Sequence, residues 1–203
     1  MSGNKIGILA VLLLIVAGLA MMPSASALQD LRITSYNLNS LQNWGTWMPY
    51  SYGELLIWEG YPSILDVNCQ KLKMVGTIRT VSVDDNQCSV RYYGQCVSFA
   101  KALSKSNVAT GDWDRGNKVM SSNIQSGTVI ATFNSAGDYT PGHTATFRDY
   151  IYANGIKTGI RVWDQNYLPN LGGVVARHNI MSKVTVSLTN PNNANNYYVV
   201  RVP

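Results

Sequence analysis

The chain has 203 residues, 46% of them hydrophobic and only 13% charged, with a formal net charge of +5. That is the composition of an ordinary folded protein of one domain, or two small ones, and abundant Gly, Ser, Thr and Asn with scarce Glu favour strands and turns over long surface helices. The basic residues are scattered singly, which argues against a nucleic-acid surface and leaves a mild attraction to an anionic cell wall or to lipid head groups.

The first segment reads as a targeting signal. Lys5 supplies a positive flank, Ile6 to Met22 is apolar, and Ala25-Ser26-Ala27 suits a signal peptidase after Pro23. Residues 1–27 are therefore expected to be removed, which lowers the charge from +5 to +4 because Lys5 is the only charged residue there. The alternative is a retained anchor, since 17 apolar residues just span a thin bilayer. With cleavage the mature chain begins at Leu28, is secreted or held in the cell envelope, and has no further membrane segment.

Residues 28–89 form a strand-rich N-terminal extension with many aromatics: Trp44, Trp47, Tyr50, Tyr52, Trp58 and Tyr61. No period places these rings on one face, so core packing is preferred over a glycan-stacking surface. Residues 70–83 alternate as one or two short strands, and "VDDNQC" (Val83 to Cys88) reads as a loop. The cysteines are Cys69, Cys88 and Cys96, an odd number in a chain expected to meet oxidising conditions. Cys69 and Cys88 lie in turn-rich sequence, and closing the loop between them would stabilise by roughly 3 kcal/mol. Cys96 is then the spare thiol.

Cys96 opens a predicted helix that ends by about Ser106, with Phe99, Ala100 and Leu103 on the same face at i+3, i+4 and i+7. The positive end of a helix dipole favours its thiolate and lowers its pKa. Position alone leaves two readings open: a nucleophile, or a buried structural thiol. A zinc site is disfavoured, because there is no Cys-x-x-Cys and the two histidines are far apart. "GDWDRGN" faintly resembles a calcium loop, but Gly116 and Asn123 stand where ligands are needed.

Strands dominate the remainder. They are "GTVIATF" (Gly127 to Phe133), "HTATFRDYIYA" (His143 to Ala153), "TGIRVWDQN" (Thr158 to Asn166) after the turn "ANG", and a tail from Lys183 read as strand, Asn/Pro loop, strand. A cysteine nucleophile needs a base and a group that orients the base. His143 begins one strand and Asp164 ends the next, so antiparallel pairing can bring them side by side, where Asp164 would fix the histidine tautomer. His178 in "VVARHNI" reads as a surface or strand-end histidine.

"YYGQCVSFAKAL" (Tyr92 to Leu103), "GTVIATF", "GHTATFRDYI" and "GIRVWDQN", in that order, resemble the CHAP group of cysteine, histidine-dependent amidohydrolases and peptidases, within the NlpC-type papain-like superfamily. The resemblance covers roughly residues 90–182. It implies an α+β papain-like fold, with an N-terminal helix bearing the cysteine packed on an antiparallel sheet, and a catalytic domain over residues 90–203. It implies Cys96 as nucleophile, His143 as base and Asp164 as orienter, with Asn166 as the alternative orienter. Gln95 would help hold the oxyanion, while Trp113 and Gly116 match a structural loop. No metal or organic cofactor is implied. The expected activity is cleavage of amide bonds in cell-wall peptides. A non-catalytic glycan-binding module, or a deamidase or transpeptidase using the same pair, are the alternatives.

Overall fold

The computed structural model describes residues 27–43, 46–49, 56–59, 70–75, 78–83, 95–139, 142–167, 175–184 and 187–203. In chain order the elements are β1 (Gln29–Asp30), α1 (Ser35–Asn43), β2 (Thr46–Pro49), β3 (Leu56–Glu59), β4 (Gln70–Val75), β5 (Ile78–Val83), α2 (Cys96–Ser104), β6 (Asp114–Lys118), β7 (Val129–Thr132), β8 (Thr144–Ala153), β9 (Ile156–Gln165), β10 (Val175–Met181) and β11 (Tyr197–Val202). Nine strands form one sheet in the order β1-β11-β7-β8-β9-β10-β3-β2, with β6 also on β11, while β4 and β5 pair separately. Every pairing among the described strands is antiparallel, so the arrangement is α+β.

The long hairpin β8–β9 turns on Asn154-Gly155, both with positive φ (50° and 77°), between the paired residues Ala153 and Ile156. An Asn-Gly pair suits a two-residue turn whose twist matches the flanking strands. It also starts β9 two residues earlier than the sequence pattern suggests. Alternation along the strands divides the core in two. On one face Val129, Ala131, Trp163 and Val200 meet Phe99, Ala100, Ala102 and Leu103 of α2 and Leu31, Ile33 and Leu41 near the start of the described chain. On the other, Ile130, Ala145, Phe147, Ile160, Val162, Ile180 and Tyr197 pack together.

One helix end is located and one local expectation is corrected. Helix α2 ends at Ser104, because Lys105 turns left-handed (φ 57°) and its N–H and that of Ser106 return to the carbonyls of Ala102 and Lys101. Lys183 and Val184 are not in a strand. The side chain of Asn193 bonds both the N–H and the carbonyl of Lys183 at 2.8 Å, so this backbone is satisfied without a neighbouring strand. The apolar segment Ile6–Met22, the expected Cys69–Cys88 bridge and the side chains of the N-terminal aromatics lie outside the described residues.

Candidate active site

Three element ends and the middle of β10 meet at the site: the start of α2, the start of β8, the end of β9 and His178 within β10. Cys96 is the first residue of α2 and a free thiol, half-buried while Phe99, Ala100 and Leu103 behind it are buried. The backbone turn before it is fixed by Ser98, whose hydroxyl accepts from the Gln95 N–H at 3.1 Å and donates to the Gln95 carbonyl at 2.9 Å. The first N–H groups of a helix have no carbonyl partner within it, and here the Gln95 side chain caps that of Ser98.

His143 immediately precedes β8 and is clamped by Thr132 of β7. Its N–H donates to Thr132 Oγ1 at 2.9 Å, and the Thr132 N–H donates to its carbonyl at 3.0 Å. Gly142 permits this approach, since a Cβ there would lie 2.7 Å from the Thr132 carbonyl oxygen. Asp164, next to last in β9, is fully buried. Directly opposite it stand Ala145 on β8 and Ala176 on β10. These small neighbours leave the carboxylate to residues two positions away along each strand, which lie within reach across a sheet. Those residues are His143, with Nε2 at 3.1 Å from Asp164 Oδ2, and His178, with Nδ1 at 3.2 Å from the same oxygen.

The expected pair His143–Asp164 is thus brought together, and Cys96 faces it. Since Nε2 of His143 is engaged by Asp164, Nδ1 is the ring nitrogen left to serve the thiol, whose charge acts on the imidazole. Burial pushes the thiol up, but the charge of His143, a hydrogen bond to it, the Thr144 backbone N–H and the Tyr139 hydroxyl together bring it down to about 7. Burial likewise opposes charging of His143, and the neighbouring thiolate and Asp164 outweigh it, raising the imidazole to about 10. Burial disfavours the Asp164 carboxylate, yet hydrogen bonds from His143 and His178 hold it at about 2. The cluster therefore favours thiolate, imidazolium and carboxylate side by side near neutral pH.

Asn166 makes no hydrogen bond to His143 among the described residues. It turns left-handed (φ 60°) just beyond β9 and donates from Nδ2 to Gln95 Oε1 at 2.8 Å. Trp113 is buried, with its ring 5.1 Å from that of Tyr139, and Gly116 packs closely under Arg201 and the Val199 carbonyl, so both support the fold. Among the described residues no group of three His, Cys, Asp or Glu side chains is arranged to hold a metal ion.

Sequence reasoning missed two residues. His178 is neither a surface nor a strand-end histidine: it lies inside β10, is 8% exposed and binds Asp164. The alternation of Ala176, His178 and Ile180 was the signal that placed it on the buried face. Tyr139, four residues before His143, holds its hydroxyl 3.7 Å from Cys96 Sγ while accepting from Thr144 Oγ1 at 2.8 Å. No sequence pattern marks it.

Comparison with known proteins places the chain among the amidases. Residues 67–200 match the family Domesticated amidase effector 2, and the chain belongs to that family. The matched stretch contains Gln95, Cys96, Tyr139, His143, Asp164, Asn166 and His178. A solved structure named Type 6 secretion amidase effector 2 (Tae2) is similar, with 28% identity over 54% of this chain and 81% of that chain and a TM-score of 0.42. No curated protein matches the chain.

Proposed function

We propose that this amidase is an exported, CHAP-like cysteine hydrolase that cleaves amide bonds in cell-wall peptides. The observation that carries the reading is the buried pair His143 Nε2–Asp164 Oδ2 at 3.1 Å, electrostatically coupled to the Cys96 thiol at a helix start. In the thiolate–imidazolium pair, with the proton held on His143 Nδ1, the Cys96 thiolate attacks the amide carbonyl carbon. The negative oxygen is received by the Cys96 backbone N–H and the side-chain amide of Gln95. As the tetrahedral species collapses, the C–N bond breaks and His143 returns the proton to the leaving amine. Water then gives a proton to His143, its oxygen attacks the thioester carbon, and the thiolate leaves, completing hydrolysis.

Asp164 holds the histidine in the tautomer that presents Nδ1 and stabilises the imidazolium. The residual positive charge of the mature chain suits an anionic wall. The experiment is mass spectrometry of wall fragments released by wild type and by Cys96→Ser. Wild type should generate new amine and carboxyl termini at one peptide bond type and the variant none. Full cleavage by the variant would overturn the assignment.

A further inference from the structure

Both described hydrogen bonds of the buried Asp164 carboxylate fall on one oxygen. Oδ2 accepts from His143 at 3.1 Å and from His178 at 3.2 Å, while Oδ1 has no partner among the described residues. The two histidines arrive from opposite sides, since β9 lies between β8 and β10. Tyr167 covers both: its ring centroid is 3.7 Å from that of His178 and 5.7 Å, edge-on, from that of His143. A carboxylate oxygen only accepts, so each facing nitrogen must carry a proton. His178 therefore presents Nδ1–H.

We propose that His178 is a positioning residue that acts through Asp164: its Nδ1–H pins Oδ2 beneath His143 and keeps the carboxylate ionised where the imidazolium needs it. A fully buried carboxylate with a single donor is poorly compensated. With its second donor removed, Asp164 takes up a proton more readily and can rotate towards its free oxygen. The His143 imidazolium then loses support, and the Cys96 thiolate it stabilises forms only at higher pH. The titratable groups around the carboxylate are His143, His178, Tyr167 and Tyr197, with Cys96 and Tyr139 beyond His143. The three tyrosines are all raised and stay neutral over the range tested.

The proposal rests on Cys96 and His143 acting as a nucleophile–base pair, and its test needs no substrate. Iodoacetamide alkylation of Cys96, resolved from Cys69 and Cys88 by peptide mass spectrometry, is followed against pH in the full chain. His178→Phe keeps ring bulk without the donor, and His178→Asn places an amide N–H near the Nδ1 position. The Phe variant should move the rising limb up by about one pH unit, roughly tenfold slower alkylation below the limb, and the Asn variant should recover most of it. If the Phe variant does not fold, His178→Ala with and without added imidazole supplies the same comparison. A wild-type limb in the donor-free variant, or an Asn variant as shifted as the Phe variant, overturns the proposal. Limbs shifted as expected, with no wall fragments released by wild type, would remove the cell-wall reading and leave His178 in its role. No accelerated alkylation of Cys96 in wild type would remove both.

Discussion

Asn166 donates its side-chain N–H to Oε1 of Gln95 at 2.8 Å, tying the end of β9 to the residue before Cys96. Asp164 and Asn166 are two residues apart, so one strand end serves both His143 and Gln95. The bond occupies the carbonyl end of Gln95 and leaves its NH2 as the end that can donate to an oxyanion.

Gln95→Ala should lower kcat for amide hydrolysis by about a hundredfold, the usual cost of one oxyanion donor, with KM little changed. Asn166→Ala removes one of the restraints on the Gln95 side chain and should cost less, about threefold to tenfold, since one exposed neutral hydrogen bond is worth roughly 1 kcal/mol. Alkylation of Cys96 by iodoacetamide creates no oxyanion and should be unchanged in both. A parallel fall in alkylation would show that Gln95 instead supports the helix start.

The pH dependence follows from the charges. The reactive arrangement is thiolate with imidazolium, which forms as the thiol loses its proton near pH 7 and ends as His143 loses its own near pH 10. These values belong to the pair, because each group sets the other. The kcat/KM for hydrolysis should be bell-shaped, rising through about 7 and falling through about 10. Alkylation needs only the thiolate, so its rate should rise through the same lower limb and show no alkaline fall. A shared alkaline fall would point to unfolding rather than to His143.

Gly142→Ala tests how His143 is held. The new Cβ would stand 2.7 Å from the Thr132 carbonyl oxygen and 3.0 Å from Tyr139 Cε2, and the first of these is backbone. The segment must move, loosening the pair of hydrogen bonds between Thr132 and His143. Overpacking of this kind costs about 1–3 kcal/mol, to be read from the denaturation midpoint. Activity should fall by more than the stability loss explains, because small displacements of a base are costly. An active variant of unchanged stability would show that the turn absorbs the methyl group elsewhere.

The strand succession made part of the site readable. His143 opens one strand and Asp164 closes the next, so a simple hairpin brings them to the same end, and the helix pattern after Cys96 fixes its place at a helix start. His178 was harder, because its contact with Asp164 depends on the β9–β10 register, in which Ala176 and not His178 stands opposite the carboxylate. The contact of Asn166 required a left-handed residue just past a strand, which no periodicity reports. The pairing of β1 with β11 joins Gln29 to Val202, nearly the length of the chain, and local pattern is blind to such closure. The end of α2 at Ser104 turned on Lys105 adopting a backbone conformation usually left to glycine.

Tyr139→Phe isolates the hydroxyl nearest the sulfur. Thr144 Oγ1 donates to that hydroxyl at 2.8 Å, so the tyrosine's own proton is free for Cys96 Sγ at 3.7 Å. A donor favours the thiolate over the thiol, and its loss should raise the thiol pKa by about half a unit to one unit, slowing alkylation at pH 6 by roughly threefold to tenfold. The ring itself packs on Trp113 at 5.1 Å and Phe133 at 6.2 Å, contacts that phenylalanine keeps. Stability should therefore change by only about 1 kcal/mol, the cost of leaving the Thr144 hydroxyl without its acceptor. Thr144→Val removes the group that directs the tyrosine proton and should shift the alkylation limb the same way by a smaller amount. If the Phe variant alkylates with the wild-type limb, Tyr139 is a packing residue, and the low thiol pKa is the work of His143 and the Thr144 backbone.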